Sequence, residues 1–106
     1  MPNQQPQQIQ IKATDAALQG HYSNIMQVAH LQEEFILDFM NIYPFQNLGV
    51  LNARIIVSPG HLKRMVNALA ENLKRYEEAY GKIEVADAPG EEIGFHSWLG
   101  TSFLAY

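Results

Sequence analysis

The sequence predicts an α+β domain: a four-stranded, mainly antiparallel sheet with one long C-terminal helix packed on one face. Three observations predict it. A short period-two pattern at residues 9–13 is followed by three apolar runs of strand length, close together at 22–31, 34–42 and 50–57. The breaks between these runs are short enough for hairpins, which join antiparallel neighbours. Ser58-Pro59 then opens a segment whose apolar residues recur every three or four positions as far as Tyr80.

Taken in order, residues 1–8 are Gln, Pro and Asn with a lone Met and read as a disordered arm, too polar to offset the entropy of ordering. Ile9, Ile11 and Ala13 alternate with Gln10 and Lys12, as an edge strand would. Asp15 to Gly20 is a connector whose glycine can take a positive φ. With Gln32-Glu33 as a hairpin tip, Val28 pairs with Leu37, His30 with Phe35 and Met26 with Phe39. If Tyr43 to Gly49, with its breakers Pro44 and Gly49, closes a second antiparallel pair, Leu37 meets Ile55, Phe39 meets Ala53 and Phe35 meets Val57. One face is then oily across all three strands. A slip of one residue would invert it.

The helix should run close to 59–80, with Ser58 as N-cap, Pro59 at the first helical position and Gly81 as a left-handed C-terminal cap. Leu62, Met65, Val66, Leu69, Leu73, Tyr76 and Tyr80 draw one apolar stripe expected to cover the sheet, and Glu71 and Arg75 form an i,i+4 pair. The α+β domain thus spans 9–83. Residues 84–106 form an acidic linker and then an apolar aromatic tail, in which Ile93–Tyr106 carries no charged side chain. Phe95, Trp98, Leu99, Phe103 and Tyr106 make that tail a candidate partner-binding segment, too short to cross a bilayer.

Composition narrows the functional classes. At 106 residues, 47% hydrophobic and 17% charged, the chain is sized for one core. Seven Lys+Arg against eleven Asp+Glu give −4, which argues against a nucleic-acid partner. The absence of cysteine removes disulfides, thiolate nucleophiles and cysteine-ligated zinc. No apolar run approaches the length of a membrane span, and the first residues lack a signal pattern, so a cytoplasmic protein without a membrane partner is expected.

Gly20-His21-Tyr22-Ser23-Asn24, Val28-Ala29-His30, Glu34 to Phe39, Ala53 to Arg64, Ala68 to Leu73, Tyr76-Glu77 and Gly81-Lys82-Ile83 occur in a fairly specific order. In these pieces the chain resembles the small prokaryotic family catalogued as domain of unknown function 3467, over about residues 9–83. The resemblance implies a fold and transfers no catalytic or ligand residue. The layout, an antiparallel sheet followed by a long helix, is also similar to the SecB export-chaperone fold, whose members form oligomers and hold unfolded chains.

The register that makes one face oily sets Asp38 opposite Arg54 on the other, where an ion pair is expected. That second face also carries Ile25, Ala29, Ile36, Met40, Ile42, Val50 and Ile56 beside Gln27 and Asn52. It is too apolar for water and too polar for a deep core, so Ile25, Ile36, Asp38, Met40, Arg54 and Ile56 are candidate residues of an oligomer face covered by a second copy. At the helix start His61, Lys63 and Arg64 gather positive charge where the helix dipole is already positive, a candidate anion site that lacks the pattern of a phosphate loop. His21, His30, His61 and His96 show no metal-ligand spacing, so no metal and no cofactor are expected, and His30 reads as a packing residue. No serine lies in a nucleophile elbow, and Tyr22-Ser23-Asn24 reads as a strand entry. The expectation is a non-enzymatic, homo-oligomeric protein-interaction or chaperone-like adaptor whose partners are itself and another protein. The rival reading is a small anion- or nucleotide-binding regulator, of phage or defence type.

Overall fold

The structure, a computed structural model, describes residues 7–86. Its elements run α1 (Asp15–Gln19), β1 (Ile25–His30), β2 (Phe35–Tyr43), β3 (Leu48–Val57) and α2 (Pro59–Tyr80). The strands form a three-stranded antiparallel sheet in the order β1-β2-β3. The β1–β2 register sets Val28 against Leu37, His30 against Phe35 and Met26 against Phe39, as the alternation predicts. Leu31 N–H donates to the Glu34 carbonyl at 2.9 Å and closes the hairpin over Gln32-Glu33. Between β2 and β3, Phe35 meets Val57, Leu37 meets Ile55 and Phe39 meets Ala53. On the oily face Leu37 is 4% exposed and Val57 is also buried.

The β2–β3 connection is a 3-10 turn at Pro44–Gln46, whose fixed proline φ starts the turn, ended by Asn47 in the left-handed region at φ 49°. Asparagine tolerates that region better than other residues with a side chain. Beyond the turn the register slips. Phe39 pairs with Ala53 but Met40 pairs with Leu51, so Asn52 is the extra residue of a β-bulge. A bulge reverses the parity of everything beyond it. Val50 therefore lies opposite Asn41 and leaves the mixed face on which strict alternation places it. Gly49 takes the position opposite Ile42, where a Cβ would come within 2.9 Å of the Ile42 side chain. Any other residue there would have to displace the tip of the Ile42 side chain.

The chain enters β1 through side-chain hydrogen bonds that mimic a ladder. Asn24 Nδ2 donates to the Ile42 carbonyl at 3.0 Å, and Ile42 N–H donates to Asn24 Oδ1 at 2.8 Å. Ser23 Oγ lies 3.0 Å from both the Ile25 and Met40 carbonyls. Asn52, set outside the ladder by the bulge, donates from Nδ2 to the Tyr22 carbonyl at 2.7 Å. The entering segment thus crosses β2 and reaches β3, at the end of the sheet where Ile25 and Ile42 are buried.

Two expectations need correction. Residues 9–13 join no ladder: Ile9 and Ile11 are exposed, and the fourth strand is not formed among the described residues. The local sequence favours α1 just after it instead, because Thr14 is an N-cap whose Oγ1 accepts from Ala17 N–H at 3.1 Å and Asp15 sits in the first turn. Gly20 ends that helix at φ 75°. Helix α2 forms over the expected residues: Ser58 Oγ accepts from His61 N–H and Arg75 bonds Glu71 at 2.7 Å, while Gly81 takes a positive φ of 99° with ψ at 168°, extended rather than the left-handed helical cap expected of it. It does not cover the sheet. No residue of α2 is buried; of its apolar stripe only Leu62 and Met65, in the first two turns, are even half-buried. Amphipathicity requires a cover for the stripe but does not name it, and this chain's sheet is not that cover.

Asn24→Ala leaves an N–H and a C=O of buried Ile42 without partners, a loss of about 1–3 kcal/mol. Chemical denaturation is expected to show that drop at unchanged m-value. An unaltered midpoint would mean the amide does not complete the ladder.

Candidate interaction surfaces

A polar rung crosses the mixed face. Gln27 pairs with Asp38 in one register and Asp38 with Arg54 in the next, so the three side chains form one row over β1, β2 and β3. Arg54 donates from Nε to Asp38 Oδ1 at 2.7 Å and from a terminal nitrogen to Oδ2 at 2.9 Å, a bidentate fork. The hydrogen bond to Asp38 raises the already high pKa of Arg54, with partial desolvation opposing it and the nearby negative charge adding to it. The Arg54 side chain retains 32% of its exposure and that of Asp38 only 13%. Beside them Gln27 is 5% exposed, and its Nε2 has no hydrogen-bond partner among the described residues.

The remaining candidates of the oligomer face fall where parity places them. Ile25 lies opposite Met40 and Ile36 opposite Ile56. Their exposure is graded across the sheet: Ile25 is buried, Ile36 and Met40 half-buried, and Ile56 on β3 is 56% exposed. The face thus closes toward β1 and opens toward β3. Arrangement is legible in the alternation, whereas this gradient is not.

His61, Lys63 and Arg64 occupy the exposed first turns of α2, and the His61 N–H is engaged by the Ser58 hydroxyl. Helix start and charge are brought together there. His30, exposed at the end of β1, lies beside Phe35 with ring centroids 5.6 Å apart and the planes tilted by 38°. Ser23 and Ser58 serve in strand entry and capping. Among the described residues no three His, Cys, Asp or Glu side chains converge as a metal site, and no helix is long and apolar enough to cross a membrane. The aromatic tail with Phe95, Trp98, Leu99, Phe103 and Tyr106, together with His96, lies outside the described residues, as does most of the arm before Gln7.

On α2, Val66, Leu69, Leu73, Tyr76 and Tyr80 are between 49% and 79% exposed. An open groove of about 480 Å³ runs beside its second half, lined by Ala70, Leu73, Lys74, Glu77, Glu78 and Lys82. Glu77 Oε2 accepts from the Ile83 N–H at 2.9 Å and turns the chain back along the helix end. The spacing of the stripe is visible in the sequence; its exposure is not.

Exchanging the rung's charges tests the pair. Asp38→Arg and Arg54→Asp should each lower the denaturation midpoint, and the double exchange should recover most of the loss. Additive losses would show that the two side chains stabilise the sheet independently.

No curated protein and no solved structure matches the chain, so the likeness to the SecB layout stays one of element order. A family model does match, over residues 1–85, and it takes in the hairpin, the bulged strand, the polar rung and the whole of α2. On that coverage the chain belongs to the family described as protein of unknown function, DUF3467.

Proposed function

We propose that the chain is a non-enzymatic, homo-oligomeric protein-interaction module, a chaperone-like adaptor of the cytoplasm. The mixed face of the sheet serves self-association, and the aromatic tail serves a protein partner. The observation that carries this reading is apolar surface left open after every strand has been paired. Single exposed apolar side chains are ordinary, but a contiguous set marks a surface that meets another protein. On the sheet Ile56 of β3 stays exposed, and on α2 so do Val66, Leu69, Leu73, Tyr76 and Tyr80. The polar rung supports the same reading. A row of Gln27, Asp38 and Arg54 inside an apolar face penalises misaligned contacts, because a shifted partner would desolvate the charges without pairing them.

Size-exclusion chromatography with light scattering at micromolar concentration should give a dimer or a larger closed assembly, and Ile36→Lys with Ile56→Lys should shift it to a smaller species. A monodisperse monomer removes the self-association. For the adaptor role, full-length protein should suppress the light scattering of a chemically denatured client during dilution, and Trp98→Ala should weaken that effect. No suppression at tenfold excess would refute the chaperone-like part.

A further inference from the structure

Apart from Met65, which is half-buried in the second turn, the apolar stripe of α2 has a stricter pattern than a surface helix needs. Leu62, Val66, Leu69, Leu73, Tyr76 and Tyr80 follow one another at alternating steps of four and three, the period of a coiled-coil seam. Helices that rest on a sheet usually carry a broader stripe. We propose that this seam is occupied by the α2 of a second copy, running antiparallel about a two-fold axis near Glu71. The proposal deepens the self-associating reading and assigns it a second surface, distinct from the sheet face.

Three arguments select this occupant. The first is volume: antiparallel alignment stacks Leu62 on the partner's Tyr80, Val66 on the partner's Tyr76 and Leu69 on the partner's Leu73, so each tyrosine meets a smaller side chain and the central layer is leucine on leucine. Parallel alignment would set each tyrosine against itself and valine against valine. The second is charge. Antiparallel pairing brings Lys63, flanking the seam near one end, beside the partner's Glu77, and does so twice by symmetry. Glu77 spends one carboxylate oxygen on Ile83 N–H and keeps the other for a lysine. The same alignment places the basic helix start, His61 to Arg64, against the acidic end of the other helix, which accounts for positive charge where the helix's own dipole disfavours it. The third is area. Five seam side chains at 49–79% exposure offer on the order of 500 Å² per copy, and with flanking stems approach the roughly 800 Å² per partner of a stable interface. A helix of 22 residues supplies about 33 Å of length for it.

The absence of cysteine makes the geometry directly testable. Val66→Cys and Tyr76→Cys variants of the full chain, differing in mass by a tag, are oxidised separately and as a mixture after exchange. Antiparallel pairing predicts a disulfide-linked heterodimer from the mixture and at least tenfold less linkage from either variant alone, because like positions then lie roughly ten residues, about 15 Å, apart. Linkage of each variant with itself would overturn the antiparallel arrangement. No linkage in any sample would overturn the helix pairing, and light scattering on the same samples separates the two readings: an assembly without linkage leaves the sheet face in place, whereas a monomer removes both. A charge arm adds a second readout: Lys63→Glu should weaken linkage several-fold and Lys63→Glu with Glu77→Lys should restore it, while equal linkage in all three proteins would count against the alignment. Since the seam is exposed in the single chain, circular dichroism should show these variants folded.

Discussion

The structure depends on β2 meeting two partners at once. A central strand must satisfy hydrogen bonds on both edges while keeping the same side chains on the same face for each neighbour, and only one parity does so. Leu37 marks it: opposed by Val28 on one side and Ile55 on the other, it is among the best buried residues of the sheet. Once Leu37 points one way, Asp38 must point the other, and the pairing of Asp38 with Arg54 follows from backbone geometry before any electrostatic attraction acts. Charge then fixes the side-chain geometry of a pair that the ladder has already brought together.

This is why so much of the sheet is legible in the sequence. Period-two alternation over three runs and two turn signals suffices to give every pairing from Val28–Leu37 to Asp38–Arg54, because an error of one residue would exchange the two faces completely. The bulge is illegible by the same logic. Asn52 leaves the ladder for a single amide contact with Tyr22, formed by chain thirty residues away, and no local pattern announces a long-range contact of that kind. Val50 changes face as a consequence. Residues 9–13 fail in the opposite sense: their alternation is genuine, but alternation alone cannot hold a strand that no edge receives. The cap at Thr14, by contrast, is written locally and explains α1.

Helix α2 separates two questions that amphipathicity tends to merge. Its boundaries are local matters, and Ser58, Pro59 and Gly81 set them as their chemistry requires. What covers its stripe is a question of assembly. The sheet and helix share one chain, yet α2 keeps only its first turns near half-burial and carries the rest of its apolar side chains into solvent. On the proposed pairing its complement lies on another helix, since a seam of about one residue per turn fits a matching seam better than the flat spacing of strands.

The two surfaces differ in what they would contribute to an assembly. The sheet face is part apolar and part charged, graded from closed at β1 to open at β3, and its polar rung makes alignment more selective than strong. The helix seam is almost wholly apolar and supplies contact area, with selectivity confined to the charges at its ends. If both proposed contacts form, the chain has two non-equivalent two-fold interfaces, and these close most simply into a dimer of dimers. Adhesion and register are then divided between different elements. Such a division lets a change at one interface alter the assembly without unfolding the strands, because the core around Leu37 and Val57 belongs to neither.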